Sequence, residues 1–191
     1  MNTVEAIKDK RKIDDMKKVL RASSQRNYLL FVLGINTGLR ISDLLQLRWG
    51  DVLEDEKNKP VHFITLREQK TGKERKISFN NSVRKALQDT IALKDNVQLG
   101  DYLFKSQKGD NRPISRVQAW QILNDAARTV GIEGRIGTHT LRKTFGYHAY
   151  QQGIDITLLQ QLFGHSAPSI TLRYIGITQQ DIDNVYVSMC L

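Results

Sequence analysis

Apolar positions recur every three to four residues along most of this chain, a spacing that predicts helices rather than strands. Asp14 to Arg21 carries Met16, Val19 and Leu20 on one face. Gln25 to Asn36 carries Tyr28, Leu29, Phe31, Val32 and Ile35 and is followed by Gly38, the residue type that most easily turns left-handed past a helix end. Ser42 is placed to cap a helix through Leu47, with Leu44, Leu45 and Leu47 facing inward. The period then changes. Val61 to Leu66 and Arg75 to Phe79 are rich in β-branched and other strand-forming residues and flank a loop containing Gly72, so they predict an antiparallel hairpin. A helix is expected from Ser82 to Lys94, followed by a short extended segment at Tyr102 to Phe104. Five more stretches follow: one capped by Ser115 and running to Val130, His139 to Gln152, one capped by Asp155 and running to Phe163, and two short pieces over Ile170 to Ile175 and Gln179 to Val187. The expected architecture is mixed α+β, mainly α-helical with a small antiparallel β-sheet. Residues 1–11 are polar and read as a flexible lead-in, and 12–191 as a single domain.

With 191 residues, 40% of them apolar, the chain can bury one ordinary core and leaves no room for a second full domain. Twenty-nine Lys and Arg against 20 Asp and Glu give a formal net charge of +9. The isoelectric point near 9.7 favours a polyanionic partner over an acidic one. The single cysteine, Cys190, excludes an internal disulfide framework and a cysteine zinc cluster and fits a reducing compartment. No run of about 18 apolar residues occurs, and the N-terminus lacks the apolar stretch of a secretion signal. The expected location is the cytoplasm.

Six polar residues spread along the chain suit one chemistry: Arg40, Lys70, His139, Arg142, His165 and Tyr174. Two arginines can hold the non-bridging oxygens of a phosphodiester through planar, charge-assisted forks. Two histidines and a lysine can move protons, and a tyrosine can attack phosphorus. His139 and Arg142 are three residues apart, so on a helix they share a face and can approach one ligand. Two assignments stay open on this reading. Lys73 and Lys76 lie close to Lys70, and Tyr147, Tyr150 and Tyr186 compete with Tyr174. The chain has no His-x-His pair and no dense carboxylate cluster, so a metal-dependent nuclease fits poorly, and neither a metal nor a cofactor is expected.

The surroundings of these residues resemble a known family. Thr37-Gly38-Leu39-Arg40-Ile41-Ser42-Asp43-Leu44, Lys70-Thr71-Gly72-Lys73-Glu74-Arg75, His139-Thr140-Leu141-Arg142, Phe163-Gly164-His165-Ser166, and Tyr174 nine positions after His165 (174 − 165 = 9) look like the signature of the tyrosine recombinases, the phage integrase family. The resemblance implies the catalytic-domain fold of that family and the six residues above as its catalytic set. It singles out Tyr174 among the tyrosines and Lys70 as the hairpin lysine. Asp43 stands where the family usually has a glutamate and would orient the Arg40 guanidinium. Phe163 stands where the family has leucine. Double-stranded DNA is the implied partner, cut and rejoined through a 3′-phosphotyrosine without ATP, by protomers that assemble as a tetramer on DNA. Ile177, Ile182, Val185 and Val187, beyond Tyr174, would pack into a neighbouring protomer. Only 39 residues precede Arg40, so the resemblance implies a catalytic domain with no separate N-terminal core-binding domain. Two other readings use the same residues: a type IB topoisomerase-like strand-passage enzyme, and a catalytically silent DNA-binding regulator of a larger integrase.

Overall fold

The computed structural model describes residues 4–54 and 58–189. At its centre lies α2 (Gln25–Thr37), with Leu29, Leu30, Phe31, Val32 and Leu33 all buried, and a helix so uniformly apolar belongs inside a core. Packed on it are α1 (Lys10–Ser23), α5 (Asn81–Ile91) and α7 (Thr140–Gln151). α6 (Arg116–Thr129) lies against α1. Asn80 caps α5, and Ser115 caps α6 reciprocally with Gln118, as the residue types expect.

α2 ends at Gly38, whose φ of 60° is left-handed, and a Cβ there would meet Phe145 Cδ1 at 2.6 Å. The chain then turns into α3 (Ile41–Gln46). Arg40, not Ser42, holds the cap position. Its carbonyl accepts from the amides of Asp43 at 3.0 Å and Leu44 at 2.9 Å, which puts Ser42 inside the first turn. Next come α4 (Trp49–Val52), β1 (Leu53–Glu54) and β2 (Lys59–Pro60), which are too short to show a period and were not expected. β3 (Phe63–Arg67) pairs antiparallel with β4 (Glu74–Ser78), Phe63 opposite Ser78 and Arg67 opposite Glu74. Among the described residues the expected sheet is therefore two separate two-stranded ribbons.

The last third folds as α7, α8 (Ile156–Phe163), α9 (Pro168–Ile175) and α10 (Gln179–Ser188). Asp155 caps α8, accepting from Thr157 N at 2.6 Å. Gly146 lets α7 lie close to α8 and α9, because a Cβ there would meet Phe163 Cζ at 2.6 Å and Ile175 Cγ2 at 2.7 Å. Cys190 and the side chain of Ile182 lie outside the described residues.

The lead-in differs from expectation. From Val4 onward it is a strap laid on the domain rather than a loose end. Glu5 N donates to Arg135 O at 2.9 Å, Ile7 N donates to Thr144 Oγ1 at 2.9 Å, and Lys8 Nζ donates to Gly176 O at 2.9 Å. Ile7 is buried, Ala6 is half-buried, and Val4 lies against Gly137. Among the described residues no helix is long and apolar enough to cross a membrane.

Candidate active site

Three chain turns bring the candidate residues together. Arg40 stands at the start of α3, Lys70 in the β3–β4 loop, and His139 caps α7. Arg40, Ile41, Ser42, Gln69, Lys70, Arg116, Thr138 and His139 line an open groove of about 420 Å³. Arg142, one turn into α7, lies behind it, and the α8–α9 turn and α9 supply His165 and Tyr174.

Arg142 is 3% exposed. Its Nη1 donates to the carbonyl of Gly38 and its Nη2 to that of Phe163 at 3.2 Å, while the guanidinium stacks 4.6 Å from the centre of the Phe163 ring. Both carbonyls belong to helix ends, where backbone oxygens lack helical partners. Burial lowers its pKa to about 10, the neighbouring charge of Arg40 adding to the fall. It remains a full cation at neutral pH.

Arg40 is held differently. Its Nη1 lies 2.7 Å from Glu68 Oε2, out of line for a hydrogen bond, so charge holds the pair and a buried donor stays unspent. Glu68 also accepts from Arg75 at 3.1 Å and from the Thr71 hydroxyl at 2.8 Å. Burial alone would raise its pKa, but Arg40, Thr71 and Arg75 outweigh that and hold it at about 2. The expected partner of Arg40, Asp43, does another job. Its Oδ1 accepts from Gln69 N at 3.0 Å and so pins the hairpin beside Lys70.

Tyr174 points its hydroxyl at His139 Nδ1, 3.5 Å away, and its ring stands edge-on to His165 with centres 4.9 Å apart. Burial raises the Tyr174 pKa, and the charges of Arg142 and Arg40 oppose that rise. His165 is oriented by Thr171 Oγ1, 3.0 Å from its Nδ1, and its carbonyl accepts from Gln160 Nε2 at 3.1 Å. Both histidines have lowered pKa values, first through crowding by the surrounding protein and then through nearby cations. For His139 these are Arg142, Lys143, Lys70 and Arg40, and for His165 they are Arg142 and Arg40. Above their ordinary range both are neutral. Lys70 is exposed on the groove wall, and Lys73 and Lys76 do not line it. Tyr186 is 78% exposed on α10, and Tyr147 and Tyr150 lie further along α7. Among the described residues no group of three or more His, Cys, Asp or Glu could hold a metal ion.

Residues 9–181 match the phage integrase family. The chain belongs to that family, the tyrosine recombinases. It is 46% identical over 187 residues to the "Probable integrase/recombinase YoeC" of Bacillus subtilis, with 97% of each chain covered. Against the "Tyrosine recombinase XerA" of Pyrococcus furiosus it is 30% identical over 173 residues, spanning 88% of this chain and 57% of that protein. Two solved structures share the fold. They are the crystal structure of XerA recombinase (TM-score 0.71, 23% identity, 94% of this chain and 61% of that one) and the XerH site-specific recombinase bound to palindromic difH substrate in a post-cleavage complex (TM-score 0.71, 20% identity, 94% and 51%).

Two residues of this tyrosine recombinase escaped the sequence reading. Glu68 takes the place at Arg40 that Asp43 was expected to fill. A carboxylate two residues before Lys70, in a loop crowded with Lys and Arg, was the available signal. Phe163, which in the sequence only stands where the family has leucine, has a ring that touches three site residues. Its centre lies 5.4 Å from that of Tyr174 and 5.6 Å from that of His165, and Arg142 stacks on it.

Proposed function

We propose that this tyrosine recombinase cuts and rejoins double-stranded DNA at specific sites through a 3′-phosphotyrosine at Tyr174, using no metal ion and no cofactor. The observation that carries the proposal is the convergence of one tyrosine, two histidines and two arginines beside a groove that also receives Lys70. In the forward step the Tyr174 oxygen bonds to phosphorus and the bond from phosphorus to the 5′-oxygen breaks. His139, neutral and nearest the phenol, takes its proton, and Lys70 gives one to the departing 5′-oxygen. Arg40 and Arg142 balance the charge that builds on the non-bridging oxygens, and His165 adds a hydrogen bond. A different 5′-hydroxyl reverses the step and releases Tyr174, so bond energy is conserved and no ATP is consumed.

Self-assembly as a tetramer on DNA and a cytoplasmic location belong to the same reading. α10 supports the first, presenting Val185, Tyr186 and Val187 to solvent rather than to the chain's own core. Deleting residues 178–191 is expected to impair pairing of two DNA sites more than cleavage. Equal loss of both would mean that α10 braces its own domain.

The test is covalent capture of a nicked suicide duplex in excess EDTA. The parent chain forms an adduct, Tyr174→Phe forms none while still binding DNA, and Tyr186→Phe behaves as the parent. An adduct surviving in Tyr174→Phe contradicts the assignment, and cleavage that returns only with Mg²⁺ or Mn²⁺ points to a nuclease. A parent chain that binds DNA and never forms an adduct is the silent regulator. Relaxation of supercoiled DNA without strand exchange is the topoisomerase.

A further inference from the structure

Beside Arg142 on α7 stands a second buried cation with no role so far. Lys143 is 6% exposed, and its Nζ lies 5.1 Å from the centre of the Tyr174 ring. Among the described residues its ammonium makes no side-chain hydrogen bond and no ion pair. The nearest acidic influence is Glu5 on the strap, which opposes the fall in Lys143 pKa that burial causes. The stem of the side chain is buried, while the ammonium keeps some contact with solvent. Within the chain, the group the ammonium faces is the tyrosine ring.

The geometry points to Lys143 as a positioning residue for Tyr174. Its ammonium holds the ring in place and favours the phenolate over the phenol. A cation over an aromatic face is attracted by the ring's electron density, and that attraction grows when the phenol loses its proton and carries a full negative charge. The phenolate is formed twice, as nucleophile when the strand is cut and as leaving group when it is rejoined. One fixed cation therefore serves both directions, whereas His139 exchanges a proton with the hydroxyl only as each step occurs. The other charged and titratable groups around Tyr174 are His139 and Arg142 from α7, Arg40 from the start of α3 and His165 from the α8–α9 turn, and Lys70 from the hairpin acts on His139. Glu5 faces Lys143 from the strap. Arg142, by charge and by a hydrogen bond, and Arg40, by charge, also favour the phenolate, and among the described residues Lys143 is the cation seated over the face of the ring.

This inference rests on Tyr174 being the nucleophile, and two measurements separate its failure from the failure of that reading. The first needs no DNA. Tyrosinate absorbance is titrated for Lys143→Met and Lys143→Arg, each against the same chain carrying Tyr174→Phe as well, so that the difference reports Tyr174 alone. Arginine stays charged throughout, so Tyr174 should ionise at lower pH in Lys143→Arg than in Lys143→Met, by about one pH unit, a tenfold change in the equilibrium. The second is the rate of covalent capture on the suicide duplex from pH 6 to pH 10. Lys143→Met should be slower than the parent by about tenfold at neutral pH, with the gap closing as the pH approaches the tyrosine range, and Lys143→Arg should restore most of the rate. Lys143→Gln replaces Lys143→Met should the latter fail to fold. Identical titrations in the charged and uncharged variants overturn the inference, as does a capture deficit that is the same at every pH. If no variant and no parent forms an adduct, the nucleophile assignment falls while the titration still judges Lys143.

Discussion

Arg142 and Arg40 are the same side chain, expected to hold the same phosphate, and the two sides of the groove treat them in opposite ways. On the α7–α9 side, Arg142 is buried, tied to two backbone carbonyls and stacked on Phe163. His165 and Tyr174 are fixed around it by Thr171 and by ring contacts. On the α3 and hairpin side, Arg40 is held, among the described residues, by the charge of Glu68, and Lys70 stands exposed on a loop. The first side is a rigid cradle, since its partners are helix termini that cannot shift without unpacking the core. The second is an adjustable arm. In the proposed mechanism the difference suits Arg142, since charge stabilisation gains most from preorganised donors, and Lys70, since a proton donor must follow the oxygen that leaves, while Arg40 stabilises charge from the looser side.

The strongest way to break this comparison is Arg142→Ala. It removes a charged donor from the developing phosphorane, for about 10² to 10³-fold in capture rate, and also leaves the Gly38 and Phe163 carbonyls without their partner. A clear drop in melting temperature should accompany the lost rate, and Arg142→Lys should rescue neither, because an ammonium cannot reproduce the fork. Arg40→Ala should lose rate with little change in melting temperature. Equal destabilisation by both would abolish the distinction between cradle and arm.

Acidity sharpens the comparison. Because His139 and His165 titrate below the ordinary histidine range, both are neutral above pH 6.5. Capture should stay level from pH 8 down to that point and fall below it, as a protonated His139 can no longer accept the phenol proton. The Glu68 carboxylate is not the cause of that fall. With its pKa held at about 2 against an ordinary 4.5, its contribution is complete above 4.5 and is lost only as the pH drops toward 2. A midpoint above pH 7 in the capture profile would contradict the assignment of a neutral histidine base.

Glu68→Gln tests the arm alone. It releases Arg40 and Arg75 from their shared anion and should slow capture by about tenfold, less than the ~10²-fold that outright misplacement of a reacting group can cost. DNA binding should hold or strengthen, because one negative charge beside the groove is gone. Phe163→Leu is the smallest change. It restores the residue type usual in the family and removes a cation–π contact worth about 0.5–1 kcal/mol, for a loss of about two- to fivefold. No loss at all would mean that Arg142 needs only its two carbonyls.

The helical cradle was legible in the sequence and the arm was not, for physical reasons. His139 and Arg142 share a helix face by spacing, Asp155 and Ser115 are local caps, and Gly38 announces a left-handed turn, so each could be read within a few residues. The tie between Glu68 and Arg40 joins positions 28 apart through a hairpin whose register had to form first (68 − 40 = 28), and no local pattern encodes it. The cap at α3 went to Arg40 rather than Ser42 because the left-handed Gly38 ends α2 early enough for the next helix to begin at Ile41. The docking of the strap rests on a few apolar residues, Val4, Ala6 and Ile7, and on hydrogen bonds to distant residues, too little to raise a periodic signal.

The division between cradle and arm is tested most directly by changing the atom that leaves. On DNA with a 5′-bridging sulfur at the cleaved phosphate, the departing thiolate, with a pKa of about 8.5, needs no proton donor. Lys70→Ala should cleave ordinary DNA about 10²-fold or more slowly than the parent, as for a lost general acid, and recover close to the parent rate on the sulfur substrate. Arg142→Ala should stay slow on both, since charge on the non-bridging oxygens still needs its partner. If Lys70→Ala is equally slow on both substrates while Lys73→Ala is rescued, the proton comes from Lys73 and the account of the arm is wrong.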